Sequence, residues 1–133
     1  MSKVSIVIPT YNVQSYIAKC LQSCINQSLS DIEILVIDDC GQDNSISIAK
    51  EFAKKDCRIK IIHNEKNLGL FKTRLQGEKE AKGLYILPLD ADDYLETNTC
   101  KILYKILIKS HTQAINNTDF IPNPQIVIRG GAI

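Results

Sequence analysis

The stretch YILPLDADD, residues 85–93, decides the fold, because an apolar run there ends directly in three carboxylates. Two earlier apolar runs also end in polar residues: VSIVIPTYN at 4–12, and ILVIDD at 34–39, which ends in two carboxylates. Short β-branched runs closed by polar residues are typical of buried parallel strands. If these strands are neighbours, their polar ends meet at one edge of the sheet. Such an edge predicts a site for a divalent cation, or for a ligand with hydroxyl and amide donors.

The segments between the first strands have the apolar spacing of amphipathic helices. In the first segment the period of one buried helix face is carried by Ile17, Cys20, Leu21, Cys24 and Ile25. A second helix, capped by the residues from Asp43 to Ser45, turns four residues inward: Ile48, Ala49, Phe52 and Ala53. Residues 58–63 predict a further strand.

The second half of the chain repeats this alternation. A third helix is predicted from about Leu70 to Ala81, with Gly83 supplying a left-handed cap. A fourth, capped by Thr97 or Asn98, is predicted to run through Ile108 and to pack with Ile102, Leu103, Ile106 and Leu107. Its other face carries Lys101, Lys105 and Lys109, which we interpret as solvated, with contact to an anionic membrane as the alternative.

The resulting order, βαβαβαβα, predicts an α/β fold with a Rossmann-like, mainly parallel sheet of about four strands alternating with helices. In such sheets the ligand site lies beyond the carboxyl ends of the strands. We therefore predict one domain over residues 1–110, followed by an irregular tail over residues 111–133.

Composition excludes several classes of protein. The net charge of +1, with charges of both signs interspersed, does not fit nucleic-acid binding. No GxGxxG or Walker sequence is present, which disfavours NAD and P-loop sites. The five cysteines lack zinc-ligand spacing, and Cys20 and Cys24 fit buried free thiols in a reducing compartment. With no apolar run of membrane-spanning length, we expect a cytoplasmic protein, with the inner face of the membrane as a further option.

The segment Asp90-Ala91-Asp92-Asp93 is the first candidate for chemistry. Hard oxygen ligands at this spacing suit Mg²⁺ or Mn²⁺, which bind through one or two carboxylates plus phosphates and waters. The alternative is a solvated loop that begins the next helix. Asp38 and Asp39 end the second strand, and because adjacent strand residues point to opposite faces, only one of them can reach a given ligand. The other would brace the turn through backbone N–H groups.

Three further side chains stand near the same edge. Tyr11 offers a flat face on which a base can stack, or it is buried against its own helix. Arg74 lies near the stripe that should face the sheet, so it either pairs with a diphosphate, pairs with one of the aspartates, or extends its charged end to solvent along the apolar surface. His63 ends the third strand, and we interpret it as structural.

Together these residues resemble family 2 glycosyltransferases of the GT-A fold, over about the first 110 positions. Four segments in order carry the resemblance: residues 4–12, residues 37–39, Asn67-Leu68-Gly69 through Arg74, and Asp90-Ala91-Asp92-Asp93. Each is weak alone, but their joint order and spacing are specific. The chain departs from the family where Cys40-Gly41-Gln42-Asp43 replaces the usual Gly-Ser-x-Asp.

The resemblance implies a glycosyltransferase that moves a sugar from a nucleotide-diphosphate sugar, usually a UDP-sugar, to an acceptor hydroxyl with Mn²⁺ or Mg²⁺. The acceptor would be a saccharide or lipid-linked saccharide of cell-envelope polysaccharide synthesis. By likeness, the nucleotide-binding residues are Pro9, Thr10, Tyr11, Asp39, Arg74 and Asp90. Asp39 would hydrogen-bond the uracil, Asp90 would lie near the ribose or sugar, and Asp92 would ligate the metal.

The catalytic base is the part that the resemblance does not supply. Members of the family normally continue beyond this length, with an acceptor site and a carboxylate that deprotonates the acceptor hydroxyl. Asp119, the only acidic residue after Glu96, is a weak candidate. The alternative function is therefore a truncated, non-catalytic nucleotide-sugar-binding module. A phosphoacceptor receiver domain is disfavoured, because Thr10 and Tyr11 stand where it needs acidic residues. Oligomeric state is left open.

Overall fold

The computed structural model describes residues 2–117 and 126–127, and it confirms the α/β prediction. The strands are β1 (Val4–Thr10), β2 (Ile32–Asp38), β3 (Ile59–His63), β4 (Tyr85–Pro88) and the short β5 (Ile126–Val127). The helices are α1 (Ile17–Ile25), α2 (Ser45–Lys55), α3 (Leu70–Glu80) and α4 (Thr99–Asn117). The four predicted strands and four predicted helices correspond to β1–β4 and α1–α4.

All strands of the sheet run parallel, in the order β3-β2-β1-β4-β5. Val4 of the central strand β1 pairs with Ile32 on one side and with Tyr85 on the other. The carboxyl ends of β2, β1 and β4 are therefore adjacent, as the acidic strand ends predicted. Strands β2 and β3 lie on one side of β1, and β4 and β5 lie on the other, so the direction in which successive strands are added reverses beside β1. Ligands of open α/β sheets bind at this kind of switch point.

Two apolar clusters cover the two faces of the sheet, because successive strand side chains point to opposite sides. One cluster contains Val4, Ile6 and Ile8 of β1 together with side chains of α1, α2 and α4. The other contains Val7 and Ile37, on the face covered by α3. All seven residues of β1 are buried, which accounts for its almost continuously apolar sequence.

Two glycines allow close approach of the chain to the sheet. A Cβ at Gly77 of α3 would lie 2.3 Å from Cγ1 of Val7, so this helix packs at a distance that only glycine permits. The expected left-handed cap at Gly83 is wrong, since α3 ends at Glu80 and the capping residue Ala81 is extended, with φ −69°. Gly83 is needed instead because a Cβ there would lie 2.6 Å from Oγ of Ser5, the atom that accepts its N–H.

Helix α4 differs from its prediction in length and in orientation. It continues past Ile108 to Asn117, a stretch without glycine or proline to end it. Ile102 and Ile106 do not pack inward but are 54% and 57% exposed. The buried side instead carries Leu103 and Tyr104, and the Tyr104 ring meets that of Tyr85 edge-on at 5.9 Å. This aromatic contact fixes which side of the helix faces the sheet.

Three of the cysteines lie in the core. Cys20, Cys24 and Cys100 are buried free thiols, as expected for the first two. Burial raises the pKa of the Cys100 thiol to about 12, so it stays protonated at neutral pH.

Within residues 2–117 and 126–127, no helix combines the length and the apolar character needed to span a bilayer.

Candidate functional site

A cleft of about 460 Å³ opens at the carboxyl edge of the sheet, and we call it the edge cleft. This volume lies in the range of small-molecule sites. Six of the seven residues predicted to bind nucleotide or metal line it: Pro9, Thr10, Tyr11, Asp39, Asp90 and Asp92. Arg74, the seventh, lies beside the lining. The strand ends therefore bring together side chains that are as much as 83 positions apart, from Pro9 to Asp92.

Asp39 forms the buried end of the edge cleft and is only 4% exposed. Its Oδ1 accepts hydrogen bonds from the Leu68 N–H at 2.7 Å and from Nδ2 of Asn64 at 3.0 Å. Its Oδ2 accepts the Gly69 N–H at 3.0 Å, and its backbone carbonyl accepts Nδ2 of Asn67 at 3.1 Å. One carboxylate thus holds the whole turn that leads from β3 into α3.

These donors control the protonation of Asp39. Burial by itself raises the pKa of this carboxyl. The N–H of Leu68, the side chain of Asn64, the N–H of Gly69 and the hydroxyl of Thr73 outweigh burial and hold the pKa below its ordinary value. Asp39 is therefore an ionised, pre-oriented hydrogen-bond acceptor at neutral pH.

Asp38 points away from this turn, in agreement with the alternation of strand side chains. Its Oδ2 lies 2.8 Å from Nδ1 of His63, which ends the neighbouring strand β3. Its Oδ1 accepts the Gly41 N–H at 3.2 Å. Asp38 and His63 together brace the ends of β2 and β3, which is consistent with the structural role expected for the histidine.

The walls of the edge cleft come from the end of β1 and the start of α3. Thr10 is buried, and its hydroxyl donates to the Ile8 carbonyl at 3.0 Å, so this side chain lines the cleft without offering its hydroxyl. Tyr11 is half exposed and presents its ring at the cleft. Leu70, also exposed, and the fully buried Thr73 line the cleft from α3.

The open end of the edge cleft is acidic. Asp90, Asp92 and Asp93 are exposed, and each offers one carboxylate oxygen to a group whose oxygens all lie within 4.8 Å of one another. The loop is held by the Asp93 N–H on the Asp90 carbonyl at 2.9 Å and by the burial of Ala91. Clustered oxygens on a fixed, solvent-facing loop fit Mg²⁺ or Mn²⁺, which need few protein ligands and keep positions for phosphates and waters.

Arg74 forms an ion pair with one of the aspartates at the edge of the cleft. Its Nη2 donates to Oδ1 of Asp90 at 3.2 Å, and both side chains are partly exposed. This ion pair joins α3 to the loop after β4 across the edge of the cleft. In this structure Arg74 therefore neutralises part of the acidic loop.

Some residues of the site were not predicted from the sequence. The cleft is also lined by Val13, Asn67, Gly69, Leu70, Thr73 and Ala91. Gly69, with φ of 86°, marks a turn at the start of α3 that only glycine adopts easily. The Asn-x-Gly sequence before a helix was a signal from which this turn could have been predicted. The contact of the turn with Asp39 could not be predicted from the sequence.

A second set of unpredicted contacts ties the loop after β1 to the loop after β2. Asn12 has φ of 51°, and its Oδ1 accepts the Gln42 N–H at 2.8 Å. Oδ2 of Asp43 accepts the Gln14 N–H at 3.0 Å, and Oγ of Ser45 accepts the Val13 N–H at 2.8 Å. These bonds fix the chain directly after Tyr11, so the cleft wall is formed before any ligand binds.

Comparison with known proteins agrees with this geometry. The family model described as glycosyl transferase family 2 matches residues 5–124, which is most of the chain. The chain belongs to that family. Its fold is the GT-A fold of the solved structures that it resembles. The crystal structure of S. aureus TarS, residues 1–349, in complex with UDP-GlcNAc matches this chain with a TM-score of 0.76 at 32% sequence identity. The match covers 82% of this chain and 32% of that one.

Curated relatives are considerably longer than this chain. EpsJ of Bacillus subtilis, an uncharacterized glycosyltransferase, is 46% identical over 94 residues, which is 71% of this chain and 27% of EpsJ. A hyaluronan synthase of Pasteurella multocida is 32% identical over 130 residues, which is 96% of this chain and 13% of that protein. The chain therefore spans about a quarter or less of these two relatives.

Proposed function

We propose that the edge cleft binds a nucleoside-diphosphate sugar, with uridine as the nucleoside. The domain would then be the donor-binding part of a glycosyltransferase that transfers the sugar to an acceptor hydroxyl. One observation carries this proposal: the same cleft has an aromatic wall and an ionised acceptor, Tyr11 and Asp39, at one end and carboxylates, Asp90 and Asp92, at the other. The likeness to a TarS structure determined with UDP-GlcNAc supports it.

The nucleobase would bind at the buried end. Tyr11 offers a ring face for stacking, and Leu70 lines the same cleft as an apolar partner. Asp39, held ionised, can only accept hydrogen bonds, so it requires a base with an N–H at the matching position. Uracil has such a donor at N3, whereas cytosine has an acceptor there, and an acceptor facing a carboxylate is repelled.

The hydrogen bonds of Asp39 also favour uracil over guanine. A carboxylate has about four lone-pair directions. Asn64 and Leu68 donate to Oδ1 and Gly69 donates to Oδ2, and the Thr73 hydroxyl also acts on this carboxylate, so the turn leaves room for at most one ligand donor. Guanine presents two adjacent N–H donors, which pair best with both oxygens of one carboxylate. The single imide N–H of uracil matches the acceptor that this turn leaves for it.

The diphosphate and the metal would lie at the acidic end. Asp92, assisted by Asp93, is proposed to ligate Mn²⁺ or Mg²⁺, while Asp90 accepts hydrogen bonds from ribose or sugar hydroxyls. When bound, a divalent metal neutralises the charge that builds on the departing nucleoside diphosphate. Without such neutralisation, three carboxylates this close together would repel the phosphates as well as one another.

Arg74 is proposed to contact the nucleotide by leaving Asp90. The pair is partly exposed, and surface ion pairs contribute at most about 1 kcal/mol to stability. Breaking the pair therefore costs little free energy. A bidentate contact of the guanidinium with a phosphate group is stronger. Donor binding would therefore free Asp90 for hydroxyl groups and move Arg74 onto the phosphates.

The acceptor and the general base are not assigned to residues. Asp119, the weak candidate from the sequence, lies outside the described residues. Asp39 is a poor base, because its lowered pKa favours the ionised carboxylate and its oxygens already hold the turn. The second candidate function is a nucleotide-sugar-binding module without turnover. A saccharide or lipid-linked saccharide acceptor of cell-envelope synthesis, and a cytoplasmic site of action, remain predictions.

Calorimetry of UDP, CDP and GDP, each with and without Mn²⁺, tests the donor proposal. We expect UDP to bind at least about tenfold more tightly than CDP or GDP, because the other bases leave polar groups unpaired. Asp92→Ala should abolish the dependence on Mn²⁺, and Asp31→Ala, a change of an exposed aspartate on the opposite edge, should not. Equal binding of the three nucleotides would overturn the assignment of the base. Unchanged metal dependence in Asp92→Ala would overturn the metal site.

A turnover assay separates the two candidate functions. The chain is incubated with a series of UDP-sugars, Mn²⁺ and saccharide acceptors, and free UDP is measured. Release that depends on acceptor supports the transferase. Binding of UDP-sugar without release, with acceptor or with water, would leave the binding module as the function.

A further inference from the structure

Helix α4 carries a surface that the edge cleft does not use. The α4 outer face consists of Lys101, Ile102, Lys105, Ile106 and Lys109, all exposed. At 3.6 residues per turn these five side chains fall within about 140° of arc, along roughly 12 Å of helix. The lysines form one side of this surface and the isoleucines the other.

The isoleucines cannot turn inward. The opposite side of α4 is anchored by the buried Cys100 and by Leu103 and Tyr104, which pack on the core of the sheet. Nζ of Lys3 lies over the Tyr104 ring, 5.0 Å from its centre, and adds a further contact to this side of the helix. Within the described residues, the packing of this side of α4 leaves Ile102 and Ile106 exposed.

The charge of this surface is of one sign. Residues 99–117 contain three lysines and no aspartate or glutamate, although the whole chain has a net charge of only +1. Three other exposed apolar side chains have visible contacts: Tyr11 and Leu70 line the edge cleft, and Nζ of Lys19 lies 4.0 Å from the centre of the Tyr94 ring, while Tyr16 and Phe71 are exposed outside helix α4. Ile102 and Ile106 instead lie one turn apart beside a row of cations.

We propose that the α4 outer face is a peripheral contact for a bilayer surface that carries anionic lipids. Such a surface satisfies both halves of the face, since its headgroups attract the lysines and its acyl boundary accepts the isoleucines. A nucleic acid would pair with the lysines and leave the isoleucines in water. A second copy of the same face would bring two rows of lysines together, and like charges would oppose the contact.

Vesicle co-sedimentation tests this contact. The probes are vesicles of phosphatidylcholine alone, and vesicles of three parts phosphatidylcholine and one part phosphatidylglycerol. We expect sedimentation with the anionic vesicles only, decreasing as salt is raised, because the attraction of the lysines is screened. Equal binding to both vesicles, or no binding to either, would overturn the proposal.

Matched variants distinguish a specific contact through the α4 outer face from attraction by the total charge of the protein. The triple change Lys101→Gln, Lys105→Gln, Lys109→Gln should weaken vesicle binding by at least about tenfold, since each lysine near an anionic surface contributes to affinity. The control removes the same charge from α2, with Lys50→Gln, Lys54→Gln and Lys55→Gln, and should retain most of the binding. Equal losses in the two triple variants would show attraction by total charge and overturn the proposal.

The apolar half has its own test. Ile102→Gln with Ile106→Gln should lower binding several-fold and leave the remaining binding fully sensitive to salt, whereas Tyr16→Gln, a change of another exposed apolar residue, should not. Circular dichroism confirms that each variant folds. If size-exclusion chromatography gives a dimer that the isoleucine variant loses, a second copy occupies the face and the proposal is wrong. None of these measurements depends on nucleotide binding, so they can fail while the donor assignment stands.

Discussion

The two ends of the edge cleft hold their carboxylates in opposite ways. Asp39 is buried, and backbone and side-chain donors surround it before any ligand arrives. Asp90, Asp92 and Asp93 are exposed and crowded, and Arg74 is the cation that pairs with one of them. A carboxylate that the protein has already satisfied is a rigid part of the fold, while carboxylates left crowded in water need a ligand to complete them. A substitution at the buried end should therefore lower stability, whereas a substitution at the exposed end should affect ligand binding and leave stability nearly unchanged.

The largest expected effect comes from Asp39→Asn. An amide in place of the carboxylate must point a donor at one of the groups that donate to Asp39, so at least one partly buried N–H loses its acceptor. We expect the free energy of unfolding to fall by about 2 kcal/mol and UDP binding to be lost. Chemical denaturation followed by circular dichroism measures the first. The matched change Asp92→Asn should alter stability by no more than about 0.5 kcal/mol. Equal destabilisation by the two changes would contradict the comparison.

Acid should act mainly through the buried end. The pKa of Asp39 is lower in the folded protein than its ordinary value of 3.8, so the folded state binds fewer protons in this range than the unfolded state. The stability that this carboxylate contributes is complete above that value and is lost as the pH falls through the folded pKa. Glu33, Asp43 and Asp56 have lowered pKa values too and act in the same direction. The free energy of unfolding, measured by chemical denaturation from neutral to acid pH, should decrease less in Asp39→Asn than in the unchanged protein.

A metal should affect the exposed end alone. If Asp92 takes part in a cation site, Mn²⁺ binds the folded state and raises the melting temperature by mass action. We expect this rise in the unchanged protein and in Thr73→Ser, and we expect Asp92→Ala to abolish it. Thermal scans with and without Mn²⁺ measure it. A rise that survives in Asp92→Ala would show that the ion binds elsewhere.

Thr73→Val gives a smaller effect and probes how Asp39 is supported. The Thr73 hydroxyl accepts Nδ2 of Asn64 at 3.1 Å and helps to lower the pKa of Asp39. Valine has the same shape without the hydroxyl, so we expect a loss of about 1 kcal/mol and a rise in the pKa of Asp39. Denaturation and a carboxyl titration by NMR measure the two. Thr73→Ser should restore both, and failure of serine to do so would assign the effect to packing.

The smallest expected effect is a gain in stability from Cys40→Gly. Cys40 has φ of 63°, a left-handed conformation that glycine adopts without strain. Its Sγ donates a weak hydrogen bond to the Asn64 carbonyl at 3.2 Å, which the change removes. We expect a net gain of about 0.5 kcal/mol, with UDP binding unchanged. A loss of stability would mean that the sulfur contact outweighs the strain.

The strands and the acidic edge could be predicted because the pattern that encodes them is local. The run from Val4 to Ile8 and the run from Tyr85 to Leu89 are recognised from neighbouring residues alone, and alternation with helices then puts their ends together. The orientation of α4 could not be predicted in this way. Its apolar residues surround much of the helix, and the contact of Tyr104 with Tyr85 selects which of them are buried.

For the site, the sequence by itself determined the types of residue present and the edge at which they meet. It identified Asp39, Asp90 and Asp92 as carboxylates at strand ends, and it left open whether Asp39 binds a ligand or braces a turn. Only the tertiary structure decided that Asp39 accepts the N–H groups of Leu68 and Gly69, and that Arg74 pairs with Asp90. The physical reason is distance along the chain. Periodicity is set by residues two to four positions apart, whereas the partners of Asp39 lie 25 to 30 positions away and are chosen by how α3 packs on the sheet.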